Sequence, residues 1–173
     1  SGDSHSDGVA RLDPRRALRL MPMLVAIDTN VLAYAEGAGD PARCTAATAL
    51  MASLPESAVI LPVQVLGELY RVLVGKLRQP SAQAQEAVLQ WSDTFAVRDS
   101  TWSALQSALD LSRMHGLSIW DSLILSVAAE QRCRVLLSED LQDGFTWRGT
   151  TVVDPFKRPA HPLLDALDEG ASR

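Results

Sequence analysis

The sequence predicts an α/β protein, a three-layer α/β/α sandwich built on a short, mainly parallel central sheet. Three observations lead there. Short apolar runs, partly β-branched, recur at residues 24–27, 58–61, 134–137 and 150–153, as expected of strands buried on both faces. Segments of helical length separate them, the spacing of βαβ units. No internal repeat and no Pro/Ser-rich linker interrupts residues 23–157, so the 173-residue chain is expected to hold one domain with a sizeable core.

The elements follow in order. Residues 24–27 form the first strand, and residues 30–35 begin a helix that Gly37 ends. Pro41 suits the first turn of a second helix, running to about Ser53. After the strand at 58–61, Pro62 opens a helix with Val65, Leu69 and Val72 on one face. Ser81 starts a helix through Trp91, and residues 95–97 make a minimal strand. A helix over 101–115 stops at Gly116, and another covers 118–132. The strands at 134–137 and 150–153 complete the sheet, the second closed by Asp154-Pro155. Residues 1–22, polar with arginines at 11, 15, 16 and 19, are expected to be a disordered tail or an appended segment. Residues 158–173 are expected to be a tail with at most a short helical turn.

Composition narrows the function. A hydrophobic fraction of 47% with 21% charged residues is ordinary for a globular protein. The net charge of −5 argues against a protein that coats nucleic acid electrostatically. It leaves room for a nuclease, because an enzyme that binds divalent cations needs carboxylates of its own. No apolar run is long enough for a bilayer span, and the basic start is not followed by the apolar core of a secretory signal. Cys44 and Cys133 lie far apart, both in segments that read as helices, with no Cys or His at metal-ligand spacing. They read as reduced core residues rather than a disulfide or a zinc site. A cytoplasmic protein is expected.

The stretch "VAIDTNVLAY" sets a carboxylate, a hydroxyl and an amide (Asp28, Thr29, Asn30) inside an apolar run. Burying them is costly unless each finds a partner. Three other acids stand at comparable places: Glu68 two turns into the helix after Pro62, Asp121 in the first turn of "LSIWDSLILSVAAEQR", and Asp140 after "RVLL". Asp143 follows three residues later. Each has an ordinary reading: Asp28 as an N-cap, Asp121 in a capping box with Ser118, Asp140 and Asp143 as turn residues, Glu68 facing solvent. Together they say more. Asp28 and Asp140 leave separate strands at the same edge of a parallel sheet, where such folds bind ligands. Glu68 and Asp121 come from helices that start near it. Converging carboxylates with no nearby Lys or Arg repel, and hard Mg²⁺ or Mn²⁺ relieves that repulsion.

In these motifs, "IDTNVLAY", "PVQVLGELYRVL", "SIWDSLILSVAAEQRC" and "LLSEDLQDG" in this order, the sequence resembles a PIN-domain ribonuclease, most of all the VapC toxins of toxin–antitoxin pairs. The resemblance covers about residues 23–156. It implies a PIN-like fold and a metal-dependent endoribonuclease that hydrolyses RNA phosphodiesters, leaving a 5′-phosphate and a 3′-hydroxyl. It implies catalytic, metal-binding roles for Asp28, Glu68, Asp121 and Asp140, with Asp143 at an often acidic position. Thr29, Asn30 and Ser138 match residues that orient the acids. It further implies an RNA substrate, a cognate antitoxin and a homodimer, for which Tyr70, Trp91 and Trp102 offer apolar surface. The alternatives within the family are a nuclease of RNA maturation without an antitoxin and a non-catalytic binding module. A haloacid-dehalogenase-type phosphotransferase needs an Asp where Asn30 stands.

Around the acids, Arg71, Lys76 and Arg78 follow Glu68 on its helix. They either meet phosphates or form a solvated helix end. Trp120 could stack on a base, with burial in the core as the expected outcome. Arg132 and Arg134 are expected on the far side of the sheet from the acids.

Overall fold

The computed structural model describes Asp13 and residues 22–171. The expected tail at 1–22 therefore lies outside the described residues except for Asp13 and Pro22. Six strands form one sheet: β1 Val25–Ile27, β2 Val59–Pro62, β3 Ala96–Arg98, β4 Val135–Leu137, β5 Thr146–Trp147 and β6 Thr150–Val153. Their spatial order is β3-β2-β1-β4-β6-β5. All neighbours pair in parallel except β5, which is antiparallel to β6. The helices are α1 Thr29–Ala35, α2 Pro41–Ser53, α3 Val63–Gly75, α4 Ser81–Thr94, α5 Trp102–His115, α6 Ile119–Glu130 and α7 Pro162–Ala171. None of them is long and apolar enough to cross a membrane.

Every residue of β1, β2 and β4 is buried, because helices connect parallel strands across both faces. Ile27, Leu61, Leu136 and Val152 are fully buried at its centre. Strand register decides which side chains meet at the sheet edge. Ile27 sits beside Leu137, so β1 and β4 end together and the residues after them emerge side by side. The backbone N–H of Asp28 extends this ladder by donating to the Leu137 carbonyl at 2.9 Å.

Local chemistry sets most helix ends. Asp40 caps α2 by accepting from the Arg43 N–H, with Pro41 in the first turn. Thr101 caps α5, which Gly116 closes in the left-handed region at φ +70°. Helix α1 begins at Thr29, a residue earlier than expected, because Asp28 itself is its N-cap.

Several expectations are corrected. Helix α6 ends at Glu130, so Cys133 is a buried residue of the turn into β4 and not helical. Strand β3 is displaced to Ala96–Arg98. Strand β5 is two residues long, too short to show alternation. The end of the chain carries a ten-residue helix, α7, where a turn was expected. It buries Leu164 and Leu167 in the main core. Ala166 and Leu167 face Met23, Val25, Leu54 and Pro55 around a cavity of about 60 Å³, closing the end of the sheet opposite to Asp28. Leu167→Ala is accordingly expected to lower the free energy of unfolding by about 2 kcal/mol. Urea denaturation measures this, and an unchanged midpoint would mean that α7 is not part of the core.

Candidate active site

Because β1 and β4 end in register, Asp28 and Ser138 are neighbours across the sheet edge. Asp28 is only 3% exposed, and donors fill its carboxylate. Oδ1 accepts from the Thr29 N–H at 2.7 Å. Oδ2 accepts from Ser138 Oγ at 2.6 Å and from Asn30 Nδ2 at 3.2 Å. The Asn30 amide also donates to Asp140 Oδ2 at 3.2 Å, while its oxygen accepts from the Glu139 N–H. One neutral side chain thus ties together the acids that follow β1 and β4. Ser138 Oγ receives the Asp140 N–H at 3.2 Å, which fixes the turn that presents Asp140.

Glu68 joins from α3. Its Oε2 accepts from Thr29 Oγ1 at 2.8 Å, its Oε1 from Gln64 Nε2 at 2.8 Å. Gln64 also donates to the Trp120 carbonyl at 3.2 Å, linking α3 to the start of α6. There Asp121 stands half-buried, its N–H capped by Ser118 Oγ at 3.1 Å. The capping reading of Asp121 holds for its backbone, and its carboxylate still belongs to the acid group.

The electrostatics show the grouping. Burial pushes the Asp28 carboxyl up to about 6, against bonds from Ser138 and Thr29 that lower it. The charges of Asp121 and Asp140 raise it further. Asp121 is raised on balance: burial raises it most, a side-chain hydrogen bond with Ser118 lowers it, and the charges of Asp140 and Glu68 raise it further. The four acids therefore share one field. Among the described residues none of them pairs with Lys or Arg. Glu139, between Ser138 and Asp140, points the other way and binds Arg43 at 2.8 Å.

Asp143 stands apart. It accepts from the Asp154 N–H at 2.9 Å and lies 3.6 Å from Lys157 Nζ, a role in closing the loop before β6. Trp120 is 60% exposed, which corrects its expected burial. The buried side of α6 begins at Ser122, so the indole stays outside. Arg134 directly precedes β4 and donates its N–H to Leu24, at the opposite end of the strand from Ser138. Sequence reading missed Gln64, whose signal was its position four residues before Glu68 on one helix face. It also missed Tyr34, which lines the cavity beside the acids.

Among the described residues, no three carboxylate, imidazole or thiol side chains stand ready to clasp a single ion. The hydrogen bonds explain the spacing: Asn30 is inserted between Asp28 and Asp140, while Thr29 and Gln64 hold Glu68. The donor set nevertheless fits a hard divalent cation. All its donors are oxygens, their charges are uncompensated, and Mg²⁺ keeps several waters with only one or two direct carboxylates.

The Asp28 carboxyl provides a stability test. It titrates near 6 in the folded chain against an ordinary 3.8, so the fold holds this proton more tightly than the unfolded chain does. The resulting stabilisation is complete below about pH 4 and is lost as pH rises through about 6. Asp28→Asn carries no such charge. In EDTA, the melting temperature of the variant relative to the native chain should climb from pH 4 to pH 6 and then level. The climb is worth up to about 3 kcal/mol. A flat difference across that window would remove Asp28 as the strained acid.

A family model of the PIN domain matches residues 25–143. Among solved structures, VapC20 of Mycobacterium tuberculosis, a sarcin–ricin-loop-cleaving toxin, is 25% identical with a TM-score of 0.58. The match covers 67% of this chain and 91% of that one. A toxin–antitoxin complex from Klebsiella pneumoniae is 20% identical with a TM-score of 0.58, covering 77% and 98%. VapBC2 of Rickettsia felis, bound to a promoter DNA fragment, is 16% identical with a TM-score of 0.55, covering 75% and 97%. No curated protein sequence matches the chain.

Proposed function

The chain belongs to the PIN-domain family, and from that premise we propose that it is a divalent-metal-dependent endoribonuclease, the toxin of a toxin–antitoxin pair. One observation carries the reading. Four carboxylates from four separate elements meet at the carboxyl end of the parallel sheet, unpaired with any Lys or Arg among the described residues.

Asp28, Glu68, Asp121 and Asp140 are the residues that would hold Mg²⁺ or Mn²⁺. When bound, the cation would supply Lewis-acid polarisation of a phosphoryl oxygen and offset the charge that builds up on a phosphodiester under attack. The protein supplies the arrangement. Asn30 and Ser138 fix Asp28 and Asp140 relative to each other. Thr29 and Gln64 leave the Glu68 carboxylate little freedom to turn. Holding the acids in place before substrate arrives lowers the reorganisation that catalysis needs. Asp143 is left out of this set, since its carboxylate serves the loop.

The partners follow the same reading. Two of the similar structures contain an antitoxin or come from an antitoxin pair, which supports a cognate antitoxin here. Trp102 at 69% exposure, with Tyr70, Leu109 and Met114 also exposed, supports a homodimer that covers apolar surface.

Asp121→Asn separates a cap from a ligand. The amide oxygen can still accept hydrogen bonds, so folding should persist. Native protein should gain thermal stability with Mn²⁺ by mass action, about 2.7 kcal/mol at a hundred times the dissociation constant. The variant should lose most of that gain, and RNA cleavage should fall about 10- to 100-fold. Melting curves and RNA cleavage, each with and without Mn²⁺, measure both quantities. An Asn variant that cleaves normally would reduce Asp121 to a helix-cap residue.

A further inference from the structure

Beside the acids lies a cavity of about 310 Å³, lined by Thr29, Asn30, Tyr34, Glu68, Asp140 and, on the α3 side, Arg71 and Lys76. The two cations are exposed, and neither forms an ion pair among the described residues. That is unusual placement. A cation one turn from Glu68 on the same helix would ordinarily pair with it. Glu68 has no need of one, because Thr29 and Gln64 already fill its two oxygens. The positive groups are left free in a recess whose other wall is acidic.

Their spacing is informative. Helix α3 rises 1.5 Å per residue, so Lys76 stands about 12 Å beyond Glu68 along the axis and Arg71 about 4.5 Å. A stacked nucleic-acid strand advances about 3.4 Å per nucleotide. The pair therefore reaches phosphates beyond the one at the acids. Arg78 is also exposed on this side of the sequence, but it does not line the cavity.

We infer that Arg71 and Lys76 form a phosphate-binding subsite that holds the RNA backbone on one side of the cleaved bond; this rests on the ribonuclease reading. The acidic wall repels the same backbone, so binding without a divalent ion depends on these two charges. Substrate recognition then requires a strand extending past the acids along α3, and a dinucleotide is too short to engage Lys76.

The test uses a fluorescent oligouridylate and the full chain. In EDTA, fluorescence anisotropy gives its affinity without any cleavage. Arg71→Gln and Lys76→Gln should each weaken binding about tenfold and reduce the slope of log affinity against log salt by about one. Arg78→Gln, with the same change of charge, should leave both nearly unchanged. In Mn²⁺, the two cavity variants should raise KM for the oligonucleotide by more than they lower kcat. Equal losses from all three variants would overturn the subsite in favour of general surface charge. Normal RNA binding combined with weakened binding of a cognate antitoxin would assign the cavity to the protein partner instead. If native protein cleaves nothing yet binding still depends on Arg71 and Lys76, the nuclease reading fails and the subsite stands.

Discussion

The hydrogen bond from Ser138 Oγ to Asp28 Oδ2, 2.6 Å long, joins the first residues beyond two adjacent parallel strands. It exists because β1 and β4 share a register that ends both at the same level. A shift of one residue in either strand would turn its side chains to the other face and separate the pair. The apolar runs of β1 and β4 are buried throughout, which fixes that register. Core packing thus decides where the polar network forms. Asn30, Asp140 and, through Thr29, Glu68 attach to it in turn.

That network tolerates a charge the interior disfavours. Asp28 lies at the end of the sheet with its carboxylate surrounded by donors, yet burial and two neighbouring acids outweigh them and raise its pKa. The ion pairs among the described residues lie elsewhere: Arg43 is engaged by Glu139 and Asp40, Lys157 by Asp143. Alternate side chains of the turn after β4 therefore diverge. Ser138 and Asp140 face the acids, and Glu139 turns to α2. A structural role alone would have favoured neutral residues at these points.

The sequence made the sheet legible because its central strands are continuous apolar runs. It singled out Asp28, Asp121 and Asp140 at element ends, and Glu68 two turns into a helix, as candidates through motif order. It did not reveal β5, whose two residues carry no periodicity, nor the length of α7, whose leucines make sense only against Met23 and Leu54. Asp143 looked like Asp140 in sequence, since both are acids in one turn. Only the Asp154 N–H and Lys157 that face it separate their roles. Trp120 misled for the opposite reason. Its type argued for burial, while its place on the first turn of α6 left it outside the packed face.

Asn30 shows why residue type at one position governs the whole site. It carries no charge, and its amide group supplies one donor toward Asp28 and one toward Asp140. An aspartate there, as a phosphoaspartyl enzyme requires, would remove both donors and add a further negative charge between two acids already in repulsion. The site could then exist only with a cation permanently bound or with one acid protonated. With asparagine, the two carboxylates are anchored by hydrogen bonds that depend on no cation. The same amide stands between Asp28 and Asp140 and donates to both. The anchorage of both acids therefore rests on one neutral side chain.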